Sequence, residues 1–202
     1  MNAWTLGLML AGYLLGSIPF SFLVARANGV DLRKVGSGNT GASNVWRNLG
    51  FRWFLVALAL DIFKGWLPVY LARAVAEQPP LGVVLVGLAT ILGHVYPIFL
   101  GFRGGKAVAT SGGVILGIAP VLTIIAAAIW AVVMKLSGYP SVSSLVAATL
   151  TALLAIGMLL TDRLHPLYAI LIVISVIYVF YLHRSNIGRL MRGQEIGIGP
   201  RR

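Results

Sequence analysis

Seven apolar stretches recur along this 202-residue chain, most of them near the length that a bilayer selects for a helix. They run over Trp4–Ala25, Phe51–Leu71, Leu81–Leu100, Ala107–Ile118, Val121–Leu136, Val142–Leu160 and Pro166–Leu182. Inside hydrocarbon a segment must satisfy its own backbone N–H and C=O groups, and a helix does so by itself. The fold class expected is therefore an all-α integral membrane protein with about seven transmembrane helices. Hydrophobic residues make up 58% of the chain and charged residues 10%, against about 25% charged in a soluble domain. The polar connections leave no room for a separate soluble domain, so residues 1–202 read as one polytopic membrane domain.

The first stretch lacks a basic region before it and a small-residue cleavage site after it, so a permanent helix is expected. Residues 107–136 are harder to divide. As one helix they would measure roughly 45 Å against a hydrocarbon core of roughly 30 Å. Gly112, Gly113, Gly117 and Pro120 lie within them, which places a break near Ala119–Pro120 and gives either two short helices or a re-entrant hairpin. With that break, loops 26–50, 101–106 and 137–141 and the C-terminal tail share one side. That side and its margins carry thirteen Lys and Arg residues, among them Arg47, Lys106, Arg201 and Arg202, and the other carries only Arg73 and Arg163. The bias predicts a cytoplasmic C-terminus and an outside N-terminus.

The same bias accounts for most of the net charge of +11, so nucleic acid is not an expected partner. There are no cysteines, which excludes disulfides and thiol catalysis. Three His and five acidic residues are widely spaced, so neither a metal site nor a cofactor is expected.

Three polar segments carry chemistry. The first reads Gly36-Ser37-Gly38-Asn39-Thr40-Gly41-Ala42-Ser43-Asn44, with Arg47 following. Glycines that bend the backbone can turn successive N–H groups toward an anion, and small hydroxyls and amides add donors. Arg47 offers a bidentate partner for phosphate. The alternative is a flexible linker, which would not draw on so narrow a donor-rich set. The second segment runs from Gly93-His94-Val95-Tyr96-Pro97 to Phe102-Arg103-Gly104-Gly105-Lys106 and leads into a helix start. It is either a second anion site or a glycine hinge with two positive-inside charges. His94, near the end of an apolar helix, reads as a hydrogen-bonded structural residue.

The third segment is His183-Arg184-Ser185-Asn186-Ile187-Gly188-Arg189-Leu190, followed by Gly193 and Glu195. His183, Asn186 and Arg189 fall at i, i+3 and i+6, a spacing that can place them along one helical stripe. A basic tail against anionic lipid is the plainer reading, but it leaves the His, Asn and Glu unexplained. Asp61 and Lys64, at i and i+3 inside an apolar segment, read as an ion pair bracing the polar face. Ser141, Ser143 and Ser144 open the sixth stretch, with Ser141 an N-cap or a phosphate donor. No Ser-His-Asp order suggests a covalent triad.

At these motifs the chain closely resembles the bacterial acyl-phosphate:glycerol-3-phosphate acyltransferases, the PlsY family. The three signatures stand in order at 36–47, 93–110 and 183–195, with the Asp61, Lys64, Gly65 group between them. Departures are mild: Arg103 where Lys is also common, and Ala107 where Gly is more usual. The resemblance implies acyl transfer from acyl phosphate to the 1-hydroxyl of glycerol 3-phosphate, giving lysophosphatidic acid and inorganic phosphate. This is the first acylation of phospholipid synthesis, in the bacterial inner membrane with the site facing the cytoplasm. It implies a hand-over from the enzyme that forms the acyl phosphate, and membrane lipid as surroundings.

On this resemblance Arg47, Lys106, His183 and Asn186 carry catalysis. Ser37, Gly38, Asn39, Asn44, Ser141, Ser144 and Arg189 bind substrate, while Gly104 and Gly105 let the fatty tail approach. Asp61, Lys64, His94, Gly193 and Glu195 support the site. No covalent acyl-enzyme is expected, because acyl phosphate already carries a good leaving group. Two rival classes, a transporter for a phosphorylated solute and a lipid-binding scaffold, share some of these features. The first lacks a visible inverted repeat, and the second leaves the glycine motifs without a purpose.

Overall fold

A computed structural model describes residues 2–198, and every regular element among them is helical. Arg201 and Arg202, counted above for the charge bias, lie outside the described residues. The chain forms two compact units, Met1–Ile118 and Ala119–Arg202.

In the first unit α1 spans Ala3–Ser17, α2 Phe20–Ala27, α3 Ala42–Leu49, α4 Phe51–Tyr70, α5 Pro80–Val95 and α6 Val108–Ile118. The expected single helix over Trp4–Ala25 is broken. Pro19 has no N–H to give, and its ring pushes Ile18 to extended backbone (φ −65°, ψ 115°). The break has a use: the released Ile18 carbonyl accepts a hydrogen bond from Lys64 Nζ at 2.8 Å. Within α4, Pro68 cannot donate to Lys64's carbonyl, and the helix continues as a π-turn over Leu71–Val75.

Two helix pairs approach too closely to admit side chains at the crossing. On α1 and α5, Gly16 lies against the Thr90 carbonyl and Gly93 against the Tyr13 carbonyl. On α4 and α6, Gly65 lies against the Thr110 carbonyl and Gly113 against that of Ile62. Lipid gives apolar side chains no reason to leave it, so close backbone packing of small residues holds such helices together. Outward from these crossings, Trp4, Leu6, Leu10 and Leu14 stay exposed on α1.

In the second unit α7 spans Pro120–Ser137, α8 Pro140–Leu160, α9 Pro166–Leu182 and α10 Arg184–Met191. Four helices of the chain, α5, α7, α8 and α9, begin on proline, where the fixed φ suits the first turn and no N–H is missed. That preference places the expected break: Ala119 takes φ −141°, ψ 76° between Ile118 and Pro120. Among the described residues five segments can span a bilayer by length and composition. A sixth arises if α9 and α10, bent by 54°, count together. The remaining stretch forms α6, at 11 residues shorter than a hydrocarbon core. The protein is an all-α integral membrane protein.

Candidate active site

The glycine-rich segment before α3 is a built loop. Asn44, 1% exposed, sits at its centre. Its Nδ2 faces the carbonyls of Leu32 (3.0 Å), Val35 (3.1 Å) and Asn39 (2.9 Å). Its Oδ1 accepts from Ser37 N–H at 3.1 Å and from Asn48 Nδ2 at 3.2 Å. Asn44 thus organises the loop through both ends of its amide. The expected nest of N–H groups is not open here. Gly38 N–H donates to Val35 O and Gly41 N–H to Asn39 Oδ1, so these amides turn inward. What the loop presents is side chains: the Ser37 hydroxyl, which accepts only a long 3.5 Å contact from Asn39 N–H, and Arg47, half-buried on α3. Upstream in the same segment Arg33 grips Asp31 by Nε and Nη2 (2.9 and 2.7 Å). The Arg33 hydrogen bonds hold the Asp31 carboxyl well below its usual range.

The second segment folds back on the end of α5. Gly104 N–H donates to Val95 O at 3.0 Å and Gly105 N–H to His94 O at 3.3 Å. A Cβ at Gly104 would meet the His94 carbonyl, and one at Gly105 would meet the His94 ring at Nε2. These glycines serve contact with α5, and their N–H groups are committed to its last carbonyls. Lys106, half-buried, is the group this loop contributes.

Beneath lies a buried ionic cluster. Asp61 and Lys64 pair at 2.8 Å with side chains 2% and 1% exposed. Ser21 Oγ on α2 donates to Asp61 Oδ2 at 2.6 Å. His94 Nδ1 stands 3.0 Å from Thr110 Oγ1 and 3.9 Å from Asp61 Oδ1. The cluster therefore joins α2, α4, α5 and α6. Ser21 and Thr110 were not legible beforehand, since lone hydroxyls in apolar helices usually bond their own backbone.

In the second unit the hub is Glu195. Its Oε1 accepts from Asn186 Nδ2 at 2.6 Å and Ser141 Oγ at 2.8 Å, and its Oε2 from Arg189 Nε at 2.8 Å. Burial acts to raise this carboxyl's pKa, but the bonds from Asn186, Ser141 and Arg189 outweigh it, and the net shift is downward. Gly193, at φ 66° just past α10, reverses the chain so that Glu195 can return to the helix. Three residues expected at the substrate meet partners within the protein. Ser141 and Arg189 are turned to Glu195, and α8 has no side-chain N-cap. Ser144 donates to Pro140 O at 2.7 Å and accepts from Trp130 Nε1 at 3.1 Å.

His183 stands at the N-cap of α10, and its Nδ1 lies 2.8 Å from Val179 O. A carbonyl only accepts, so Nδ1 carries a proton. The chemistry these groups can offer is hydroxyl, guanidinium and ammonium donors in the first unit, and an oriented imidazole beside an amide in the second.

Helices that must sit in lipid, with loops that carry anion-suited side chains, define a polytopic membrane protein. Comparison with known proteins names the kind. The family model for glycerol-3-phosphate acyltransferase matches residues 6–193. A glycerol-3-phosphate acyltransferase of Roseiflexus sp. (strain RS-1) is 51% identical over 191 residues, covering 95% of this chain and 94% of the relative. That of Geobacter sulfurreducens is 45% identical over 183 residues, with 91% and 92% covered. Crystal structures of PlsY, an integral membrane glycerol 3-phosphate acyltransferase, superpose in two forms. The glycerol 3-phosphate form gives a TM-score of 0.89 at 35% identity, with 98% of this chain and 96% of that one covered. The lysophosphatidic acid form gives 0.87 at 33%, with the same coverage. The chain belongs to the glycerol-3-phosphate acyltransferase family.

Proposed function

We propose that this protein transfers an acyl group from acyl phosphate to the 1-hydroxyl of sn-glycerol 3-phosphate, giving lysophosphatidic acid and inorganic phosphate. The observation that carries the reading is its likeness, over nearly the whole chain, to an acyltransferase solved with glycerol 3-phosphate and with lysophosphatidic acid. The donor is the one that the resemblance of the three motifs implies, and the chemistry is compatible with it. There is no cysteine, and the hydroxyls of Ser141, Ser143 and Ser144 are given to Glu195, Tyr139 O and Pro140 O. Without an activated nucleophile, the acyl group should arrive on a good leaving group, as in the mixed anhydride of a carboxylic and a phosphoric acid.

The 1-hydroxyl oxygen attacks the acyl carbon, and the bond from that carbon to the phosphate oxygen breaks with its electron pair on phosphate. No acyl-enzyme forms. The hydroxyl proton passes to the departing phosphate or to Nε2 of His183. Ser37, Arg47 and Lys106 hold the phosphates and offset their charge, while His183 and Asn186 hold the glycerol. Asn39, whose carbonyl oxygens face the loop, shapes the segment beside Ser37. The whole chain acts as one domain of a bacterial inner membrane, N-terminus outside and C-terminus cytoplasmic, with the site facing the cytoplasm. There it takes acyl phosphate handed over by the enzyme that makes it.

The test uses purified protein, acyl phosphate and glycerol 3-phosphate, without metal, CoA or carrier protein. Equal release of phosphate and lysophosphatidic acid is expected, falling at least about 100-fold in folded Arg47→Ala and Lys106→Ala proteins. Absence of product from folded wild type would overturn the donor assignment.

A further inference from the structure

We infer that the His94 ring, held by Thr110, is the positioning element that sets where Lys106 presents its ammonium group. The inference rests on Lys106 as a phosphate ligand. The loop that carries Lys106 is strained: Phe102 and Ala107, neither a glycine, take φ of 61° and 57°. Such backbone persists only where its surroundings over-determine it.

His94 supplies that determination from two directions. Its carbonyl takes the Gly105 N–H, and its ring lies against Gly105 so closely that no Cβ fits between Gly105 and Nε2. On the opposite side of the ring, Nδ1 is 3.0 Å from the hydroxyl of Thr110, which is fully buried in the first turn of α6. Gly105 immediately precedes Lys106 and Thr110 follows it by four residues, so one imidazole brackets the Lys106 backbone.

The ring cannot simply rotate away. Asp61 stands 3.9 Å from Nδ1 and is itself fixed by Lys64 and Ser21, and Lys64 by the Ile18 carbonyl. Ser17, Ser21, Asp61, Lys64, His94 and Gly105 line one cavity at this point of the fold. In this inference His94 and Thr110 act on substrate through Lys106.

Thr110→Val tests this, because it keeps the shape and removes only the hydroxyl. With wild-type turnover first established, its kcat/KM is expected to fall about 10- to 100-fold, the scale for a misplaced catalytic group. Its thermal midpoint should shift by only a few degrees, and Thr110→Ser should restore most of the rate. In a Lys106→Ala background the same substitution should change kcat/KM less than about twofold, because the group it positions is gone. Wild-type kinetics in Thr110→Val would overturn the inference, as would an equal loss in both backgrounds. If Thr110→Val does not accumulate, His94→Gln carries the same comparison. Failure of both to fold would make the cluster a folding element and also overturn it. Silent wild type, or an unaffected Lys106→Ala, would instead sink the functional reading beneath it.

Discussion

Ser141 Oγ donates a 2.8 Å hydrogen bond to the Glu195 carboxylate across 54 residues of chain, so the tail beyond α10 is fastened to the start of α8. Asn186 and Arg189 complete the hub. Removing the hydroxyl alone in Ser141→Ala should cost about 1 kcal/mol, an ordinary net hydrogen bond. Glu195→Ala leaves three donors facing a carboxylate that is gone, one of them charged, and should cost about 3 kcal/mol. Because the residues share one acceptor, the double substitution should cost less than the sum. Thermal unfolding of the four proteins in detergent reads the coupling. Strict additivity would mean that the bond contributes nothing.

The hub also sets a pH response. The Glu195 carboxyl lies below its ordinary value of 4.5 in the folded protein, because the bonds from Asn186, Ser141 and Arg189 outweigh burial. A depressed carboxylate stabilises the fold fully above the unfolded value and loses that contribution as pH falls through the folded one. Wild type should therefore lose part of its stability below about pH 4.5, and Glu195→Gln should lose less. Melting temperatures of both proteins from pH 7 down to pH 3 test it. Parallel curves would assign the acid sensitivity elsewhere.

The first loop depends on one amide and one glycine. Gly36 holds φ 57°, and a Cβ there would run into Asn44 Oδ1. Gly36→Ala should cost more than the about 1–2 kcal/mol of left-handed strain alone, because it also displaces Asn44. Asn44→Asp swaps two donors for an acceptor opposite three carbonyls and should be worse, at about 3 kcal/mol or more. Lost activity with an unchanged melting point in Asn44→Asp would return Asn44 to the substrate.

How far the sequence carries is visible in these same residues. The break before Pro120 was legible because proline cannot continue a helix and suits a first turn. The three polar motifs were legible because Asn, Arg and His are rare inside apolar chains. The partner of each polar group was not. Asn44, Ser141, Arg189 and the two glycines of the second loop looked like ligands for substrate, yet each is satisfied within the protein. Pairing depends on contacts between segments far apart in the chain, and donor-rich composition says nothing of whether a donor turns inward. The break at Ile18–Pro19 was obscured by continuous hydrophobicity, and the carbonyl it frees for Lys64 could be found only in three dimensions.

That buried lysine gives the last prediction. Lys64 and Asp61 pair at 2.8 Å and are almost wholly enclosed. Lys64→Met leaves a carboxyl in an apolar surrounding with only Ser21 to donate to it, and breaking such a pair from one side costs about 3–5 kcal/mol. Asp61→Asn leaves the ammonium with only neutral oxygens, the Ile18 carbonyl and the new amide, and no counter-charge, and should be comparably harmful. Replacing both, as Asp61→Asn with Lys64→Met, removes both charges, so the double variant should recover at least half of the larger single loss. Expression level and thermal midpoint in detergent decide it. A double variant as unstable as the two losses added would mean that the two charges act independently.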